Sequence, residues 1–319
     1  MSFKLDRAAG FAWGVLAYNL FVILWGAFVR ATGSGAGCGS HWPLCNGEVI
    51  PRADSIQTLV EFGHRLTSGV ALLGVIALVV WSRRARPPGH LMRRGAIASL
   101  IFIIIEALLG AGLVLFELVA HNASVTRAFS MSAHLLNTFL LVAALTLTAW
   151  WASGGGALRL RGNGPLVLRL GLGAAGVLLV GMSGAITALG DTLFPAASLA
   201  EGIQQDLAPA AHFAIRLRVL HPVLAVLTSV YVVYTAWNVQ AGRGSLLHNV
   251  AIGVTAVFAL QLGVGVANML LLAPIWIQLV HLLLADLLWM ALVIMAAVAL
   301  AAHEPAAAPQ PVAAGMRAT

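Results

Sequence analysis

Residues 59–81 read LVEFGHRLTSGVALLGVIALVVW, an apolar stretch that also carries Glu61, His64 and Arg65. A helix needs roughly 20 mostly apolar residues to cross about 30 Å of hydrocarbon, and this stretch is long enough. Because similar stretches recur along the chain, we predict an all-α integral membrane protein with eight transmembrane helices. The predicted spans lie at approximately 11–29, 59–81, 95–116, 130–151, 166–188, 217–237, 248–272 and 275–301.

The composition agrees with a protein that lies in the lipid bilayer. Of its 319 residues, 60% are hydrophobic and 9% are charged. A soluble domain carries about 25% charged residues. The low charged fraction excludes a soluble enzyme, a disordered chain and a nucleic-acid binder, so no nucleic-acid partner is expected despite the net charge of +7.

The positions of the arginines predict the orientation. The connections 82–94, 152–165 and 238–247 contain Arg83, Arg84, Arg86, Arg93, Arg94, Arg159, Arg161 and Arg243. The alternate connections contain acidic residues and fewer basic ones, namely Glu48, Asp54, Glu117, Asp191, Glu201 and Asp206. By the positive-inside rule, both termini lie in the cytoplasm and the protein spans the cell membrane. The Ala/Pro-rich residues 304–319 are predicted to form a disordered cytoplasmic tail.

The first outer connection carries the only two cysteines of the chain, Cys38 and Cys45. On the oxidising side of a membrane, such a pair is compatible with a disulfide that closes a small loop. The alternative is two unpaired thiols.

The chain also contains an internal repeat of four helices. The exits LWGAFVRATGSG (24–35) and LVGMSGAITALGD (179–191) correspond, and so do the runs LLGAGLVL (108–115) and QLGVGVANML (261–270). We therefore predict two tandem pseudo-symmetric four-helix bundles, residues 1–155 and 156–303. Both halves start in the cytoplasm, so the repeat axis runs along the membrane normal.

Four of the ten histidines, His64, His134, His221 and His281, fall in the even-numbered spans at matching depth. A single intramembrane histidine is as well explained by a hydrogen bond to a neighbouring helix. Four at repeat-related positions favour metal ligation, and paired histidines on facing helices are a known way to hold haem. We predict two haem sites, His64 with His134 and His221 with His281. Both sites would lie side by side toward the outer face.

Charged residues surround these histidines. Glu61 shares a helix face with His64, so its carboxylate is either a catalytic acid/base, a stabiliser of positive charge, or a partner of Arg65. The outer-layer arginines are favoured as interfacial anchors, with haem propionates as the alternative partners; they are Arg30, Arg65, Arg216 and Arg218. Glu106 and Asp286 are interpreted as interior polar partners.

The stretch RATGSGAGCGSHWPLCNG (30–47), followed by EFGHR (61–65), resembles the heme A synthase family. This resemblance implies oxidation of a haem O methyl group to a formyl group through a hydroxymethyl intermediate. It implies a substrate haem at His64 and His134, a haem b cofactor at His221 and His281, a catalytic Glu61, and a cysteine pair able to form a disulfide. The second half has Arg218 where Glu61 stands in the first, which fits a reactive first site and a cofactor-only second site.

Bis-histidine iron has both axial positions filled, so we favour a route in which electrons leave through iron and haem b and water supplies the oxygen. A haem O synthase and a terminal oxidase are expected partners from the order of the pathway, whereas the electron acceptor is not identified. The alternatives are a di-haem b electron-transfer cytochrome and a transporter that uses Glu61, Glu106 and Asp286. Four ligands on one side of the membrane disfavour the cytochrome.

Overall fold

The computed structural model describes residues 5–52, 55–241 and 244–301. In these ranges the regular structure is helical, which confirms the predicted fold class. The α-helices are α1 (Arg7–Ala31), α2 (Ile56–Ala85), α3 (Leu91–Leu115), α4 (Val125–Ala152), α5 (Gly164–Leu193), α6 (Leu199–Leu207), α7 (Phe213–Arg218), α8 (Leu220–Gln240), α9 (Ser245–Leu270) and α10 (Ile275–Leu300), with a 3₁₀ turn at Ser34–Ala36.

Eight segments of the described chain are long and apolar enough to cross a membrane, and they coincide with the eight predicted spans. Several begin a few residues earlier than predicted, because a helix starts at its capping residue and not where the apolar stretch starts. The side chains of Asp6, Ser55 and Ser124 accept the backbone N–H groups that open α1, α2 and α4.

The sixth span is formed by two helices, α7 and α8, separated at Val219. Pro222 explains the break, since it lacks an N–H for the carbonyl of Arg218 and its ring crowds that carbonyl. His221 therefore lies immediately beyond a local interruption of the helix.

The connection predicted at 189–216 is not simply a loop. It contains α6, which starts where Ser198 accepts the backbone N–H of Glu201, and the end of α5. Asp191, which falls in the predicted connection because the predicted span ends at 188, lies in the last turn of α5. A short amphipathic helix lacks the long apolar run that revealed the spans, so the hydropathy pattern did not predict it.

The order of helix contacts has a repeat of its own. In the first half α1 packs on α2, α2 on α3, α3 on α4 and α4 on α1; in the second half α5, α8, α9 and α10 close the same ring. The halves meet where α10 contacts α1 and α4, and where α4 contacts α5. This pattern is consistent with two tandem four-helix units. The exact boundaries remain predictions, and residues 304–319 lie outside the described ranges.

Helix α4 forms the centre of the molecule. About two-thirds of its most apolar window is buried, 67% against at most 33% for the other spans, because α4 contacts its own ring and also the second half. Phe139 of α4 stacks on Trp289 of α10 at 5.7 Å, and the indole of Trp289 donates to the Phe139 carbonyl. This contact joins the two halves in the middle of the bilayer span.

Candidate haem-binding sites

The four predicted ligands occur at one end of the bundle. Each lies within the first ten residues of an even-numbered span. These spans start at the same end as the loop closed by Cys38 and Cys45, and we call this end the disulfide side. The shared depth predicted from sequence is therefore retained once the helices pack.

In the second half, His221 of α8 and His281 of α10 face each other. Their ring centroids are 6.4 Å apart and their planes are nearly perpendicular. Two metal–nitrogen bonds of about 2 Å each and two ring radii of about 1 Å add up to about 6 Å, so one iron fits between these rings. The pair therefore fits a bis-histidine haem.

Each of the four rings also rests against a glycine of a neighbouring odd-numbered helix. A Cβ at Gly26 would stand 2.9 Å from the Cε1 of His64, and one at Gly184 would stand 3.0 Å from the Cε1 of His221. A Cβ at Gly265 would stand 3.1 Å from the Cε1 of His281, and one at Gly110 would stand 3.8 Å from the Cε1 of His134. A methyl group at Gly26 would force the His64 ring to shift, and one at Gly184 or Gly265 would require the facing imidazole to move by a few tenths of an ångström. The glycine-rich runs at 24–35, 108–115, 179–191 and 261–270 contain all four of these glycines, but the sequence does not distinguish them from the other glycines of the same runs.

The second nitrogen of each ring has a different environment. The Nδ1 of His221 lies 3.0 Å from the Ser183 hydroxyl, whereas in His281 it is Nε2 that lies 3.4 Å from the Gln261 amide nitrogen. Within the described residues, the buried Nδ1 atoms of His64, His134 and His281 make no hydrogen bond.

His134 differs because a carboxylate lies beside it. Its Nδ1 is 3.3 Å from Oε1 of Glu106 on α3. Asn137 donates to the other oxygen of Glu106 at 2.6 Å, and the Thr138 hydroxyl donates to Oε1. The interior polar partner predicted for Glu106 is therefore a histidine assigned to the first haem site.

Glu61 is buried and both of its oxygens are occupied. Oε2 accepts the backbone N–H of Cys38 at 2.8 Å, and Oε1 accepts the Arg65 guanidinium at 2.5 Å. Of the interpretations considered for Glu61, the pairing with Arg65 is the one present in this structure. Its catalytic role stays a prediction.

The loop that carries the cysteines is bound to α2 by side chains of that helix, namely Glu61, Arg65 and Thr58. Cys38 and Cys45 form a disulfide, as predicted. Arg65 donates to the carbonyls of His41 and Leu44 at 2.6 Å each, and Thr58 donates to the carbonyl of Gly37 at 2.7 Å. The loop is therefore held one helical turn from His64.

The outer-layer arginines bind protein groups here, and contacts with haem propionates stay predictions. Arg30 extends from α1 into the second half, where it donates to the Ala188 carbonyl, Thr192 and Gln278 at 2.6–2.7 Å.

The two arginines of α7 bind groups of the second half. Arg218 pairs with Asp191 at 3.0 Å and with Asp206 at 2.6 Å. Arg216 donates to the carbonyl of Pro209 at 2.8 Å.

A metal ion bound by side chains alone would need several of them close together in the part of the chain that the structure describes. No three His, Cys, Asp or Glu side chains come together there as a protein-ligated metal ion would need. A bis-histidine haem needs two protein ligands, because the porphyrin supplies the rest. Asp286 is fully buried in α10, and neither carboxylate oxygen has a hydrogen-bond partner among the described residues.

The fold is that of a helical membrane protein with eight candidate spans and a histidine near the start of each even-numbered span. A family described as "Cytochrome oxidase assembly protein" matches residues 9–293, and the chain belongs to this family. The membership confirms the family inferred from the motifs at 30–47 and 61–65.

Individual relatives match over different lengths. A "Protoheme IX farnesyltransferase" of Thermus thermophilus is 54% identical over 296 residues, which cover 92% of this chain and 49% of the relative. A "Heme A synthase" of Alkalihalophilus pseudofirmus is 44% identical over 97 residues, which cover 30% of this chain and 33% of the relative. One of Halalkalibacterium halodurans is 40% identical over 126 residues, or 40% and 42% of the two chains. The chain thus spans about half the length of the Thermus relative.

Proposed function

We propose that the chain is a haem A synthase, which oxidises a methyl group of haem O to a formyl group through a hydroxymethyl intermediate. Family membership and the relatives named "Heme A synthase" support this activity. The carrying structural observation is the 6.4 Å separation of the His221 and His281 rings. His64 and His134 occupy the corresponding positions near the starts of α2 and α4.

The two sites are assigned different roles. His64 and His134 hold the substrate haem O, and His221 and His281 hold haem b as the resident cofactor. In the first half Glu106 lies beside His134 and Glu61 stands three residues before His64, whereas Ser183 and Gln261 are the neutral neighbours of the second pair. This chemical difference supports a reactive first site. When bound, haem b would accept electrons from the first site.

The protein's own groups position the substrate. Two histidines fix its iron, and Gly26 and Gly110 leave the backbone close to both imidazoles. Because both axial positions are then filled, direct binding of O₂ to the iron is disfavoured and water is the proposed oxygen source. For Glu61 to stabilise the electron-poor carbon or activate that water, it must first release Arg65 or the Cys38 N–H.

The location and partners are part of the same proposal. We place the protein in the cell membrane with both termini in the cytoplasm and the disulfide side facing outward, as the arginine distribution predicts. The Thermus relative carries a protohaem farnesyltransferase name and extends well beyond the matched region, which supports a haem O synthase as partner. The family description supports a terminal oxidase as the destination of haem A.

Haem extraction and chromatography test the proposal. Full-length protein is purified in detergent from cells that make haem O, with cells lacking haem O as the control. We expect haem b together with haem O, haem A or the hydroxylated intermediate. Two haem b per chain would instead indicate the electron-transfer cytochrome, and protein without haem would favour the transporter.

The assignment of the second site predicts the outcome of a single substitution. His221→Ala should lose haem b, because one axial ligand is removed, whereas His248→Ala changes a histidine at the opposite end and should keep it. Haem b content per chain, measured on the purified variants, checks this. Retention of haem b at the wild-type level in His221→Ala would contradict the assignment.

A further inference from the structure

The two haem sites differ in the group that stands four residues before the glycine facing a histidine. In α3 this group is Glu106, before Gly110, and in α9 it is Gln261, before Gly265. Each lies beside the histidine of the following helix, but at a different ring nitrogen: Oε1 of Glu106 is 3.3 Å from Nδ1 of His134, and the amide nitrogen of Gln261 is 3.4 Å from Nε2 of His281. The structure therefore aligns Glu106 with Gln261, a carboxylate with its neutral amide counterpart. An alignment of the glycine runs by sequence alone pairs Gly110 with Gly263. The structure instead pairs Gly110 with Gly265, two residues further along the chain.

The surroundings of Glu106 suit a negative charge. Asn137 and Thr138 follow His134 by three and four residues, so the ligand and both donors share one face of α4. Together they direct an amide N–H and a hydroxyl at the carboxylate, while the imidazole Nδ1 stands 3.3 Å from it. An acceptor-only group that receives such donors is held in place.

The second half lacks these donors altogether. The residues that follow His281 by three and four positions are Leu284 and Ala285, which have no polar side-chain atoms. The carboxylate and both of its supporting donors are therefore confined to the first half. Three coordinated differences between repeat-related positions indicate a specific requirement at His134.

We propose that Glu106 is a positioning residue that acts through His134 and lowers the reduction potential of the haem bound in the first half. A carboxylate that holds the outer nitrogen of a ligating histidine orients the ring and makes it a stronger donor to the metal. A stronger donor favours the oxidised, more positive iron. The inference rests on the proposed function, because it takes the first site to hold haem. It gives that site a bias toward losing electrons, as an oxidised substrate requires.

The exchange of the two aligned residues is the test. Redox titrations followed by absorbance are run on full-length haem-loaded protein for Glu106→Gln and Gln261→Glu. Glu106→Gln should raise the midpoint potential of the first haem and leave the second unchanged, and Gln261→Glu should lower that of the second. We expect at least a tenfold change in the oxidised-to-reduced ratio at fixed potential, which is about 59 mV for a one-electron couple.

Two further variants separate this role from a structural one. Glu106→Asp keeps the charge and should stay closer to wild type than Glu106→Gln, and His134→Ala identifies which signal belongs to the first haem. Equal shifts in Glu106→Asp and Glu106→Gln, or no shift in Glu106→Gln at normal haem content, would overturn the proposal. If Glu106→Gln loses its haem, the proposal is tested by Gln261→Glu: a lowered midpoint potential of the second haem supports it, and an unchanged potential overturns it.

The two levels of inference fail differently. If His64→Ala and His134→Ala leave total haem content unchanged, the first haem site itself is wrong and the proposed function fails. If these variants lose one haem but the Glu106 exchange moves no potential, only the role of Glu106 is wrong.

Discussion

At the scale of single residues, buried charge at the disulfide side is consistently paired. Glu61 binds Arg65 and the Cys38 N–H, Arg218 binds two aspartates, and Glu106 stands beside His134. Burial of an unpaired charge away from water costs roughly several kcal/mol of free energy. Each pairing therefore stabilises a charged group in its buried position. The pairing of Glu61 also means that a catalytic role would be combined with holding the disulfide loop.

Substitution of Glu61 separates these two roles. Glu61→Ala should keep haem b, since neither ligand of the second site is touched, but stop the conversion of haem O. Product yield and haem b content are measured together, with the exposed Glu117→Ala as control. An intact product yield in Glu61→Ala would remove this residue from the mechanism. Faster reduction of the Cys38–Cys45 disulfide by an added thiol would report the loss of its fastening role.

At the scale of helices, close approach to the histidine rings depends on glycine at defined positions. In α9, a Cβ at Gly265 would stand 3.1 Å from the His281 ring, whereas one at Gly263 would have nothing within 4 Å. The two glycines share a helix and a short sequence run, yet of the two only Gly265 faces His281. Helix α9 therefore provides its own matched control.

We expect Gly265→Val to lower haem b occupancy strongly, because the new side chain displaces the His281 imidazole from its position opposite His221. Gly263→Val should bind haem b as the wild type does. Pyridine haemochrome content per chain measures the difference. If both variants retain haem b equally, the contact between α9 and His281 has no part in holding the cofactor.

At the scale of the whole molecule, the two halves are joined at two levels. Phe139 and Trp289 stack within the span, and Arg30 reaches across at the disulfide side. A guanidinium is suited to this because its planar fork serves several acceptors at once. The Arg30 guanidinium thus links α1 of the first half to α5 and α10 of the second half.

Removal of Arg30 should loosen the halves. Arg30→Ala leaves acceptors on α5 and α10 without their donor, and we expect a loss of about 2–3 kcal/mol of stability. Arg30→Lys should recover only part of it, since an ammonium is a compact point charge. Thermal unfolding in detergent measures the effect, with Arg216→Ala as control because its contact to Pro209 stays within one half. Equal melting temperatures for Arg30→Ala and the control would show that this crossing carries no stability.

The sequence by itself determined the spans, the place of the four histidines near the starts of the even-numbered spans, the family and the cysteine pair. These features are readable because the hydrocarbon thickness fixes span length and because a motif is local in the chain. Helix α6 and the break before His221 were not predicted, since neither changes the long apolar runs that define the spans.

Only the tertiary structure decided which group each buried side chain meets. The pairing of Glu61 with Arg65, the reach of Arg30 into the second half, and the glycine behind each histidine all depend on how the helices are rotated and shifted against one another. Helices such as α3 and α9 are apolar on every side, so hydropathy does not select the face that turns inward. That choice is made by packing and by interhelical hydrogen bonds, which join residues far apart in the chain.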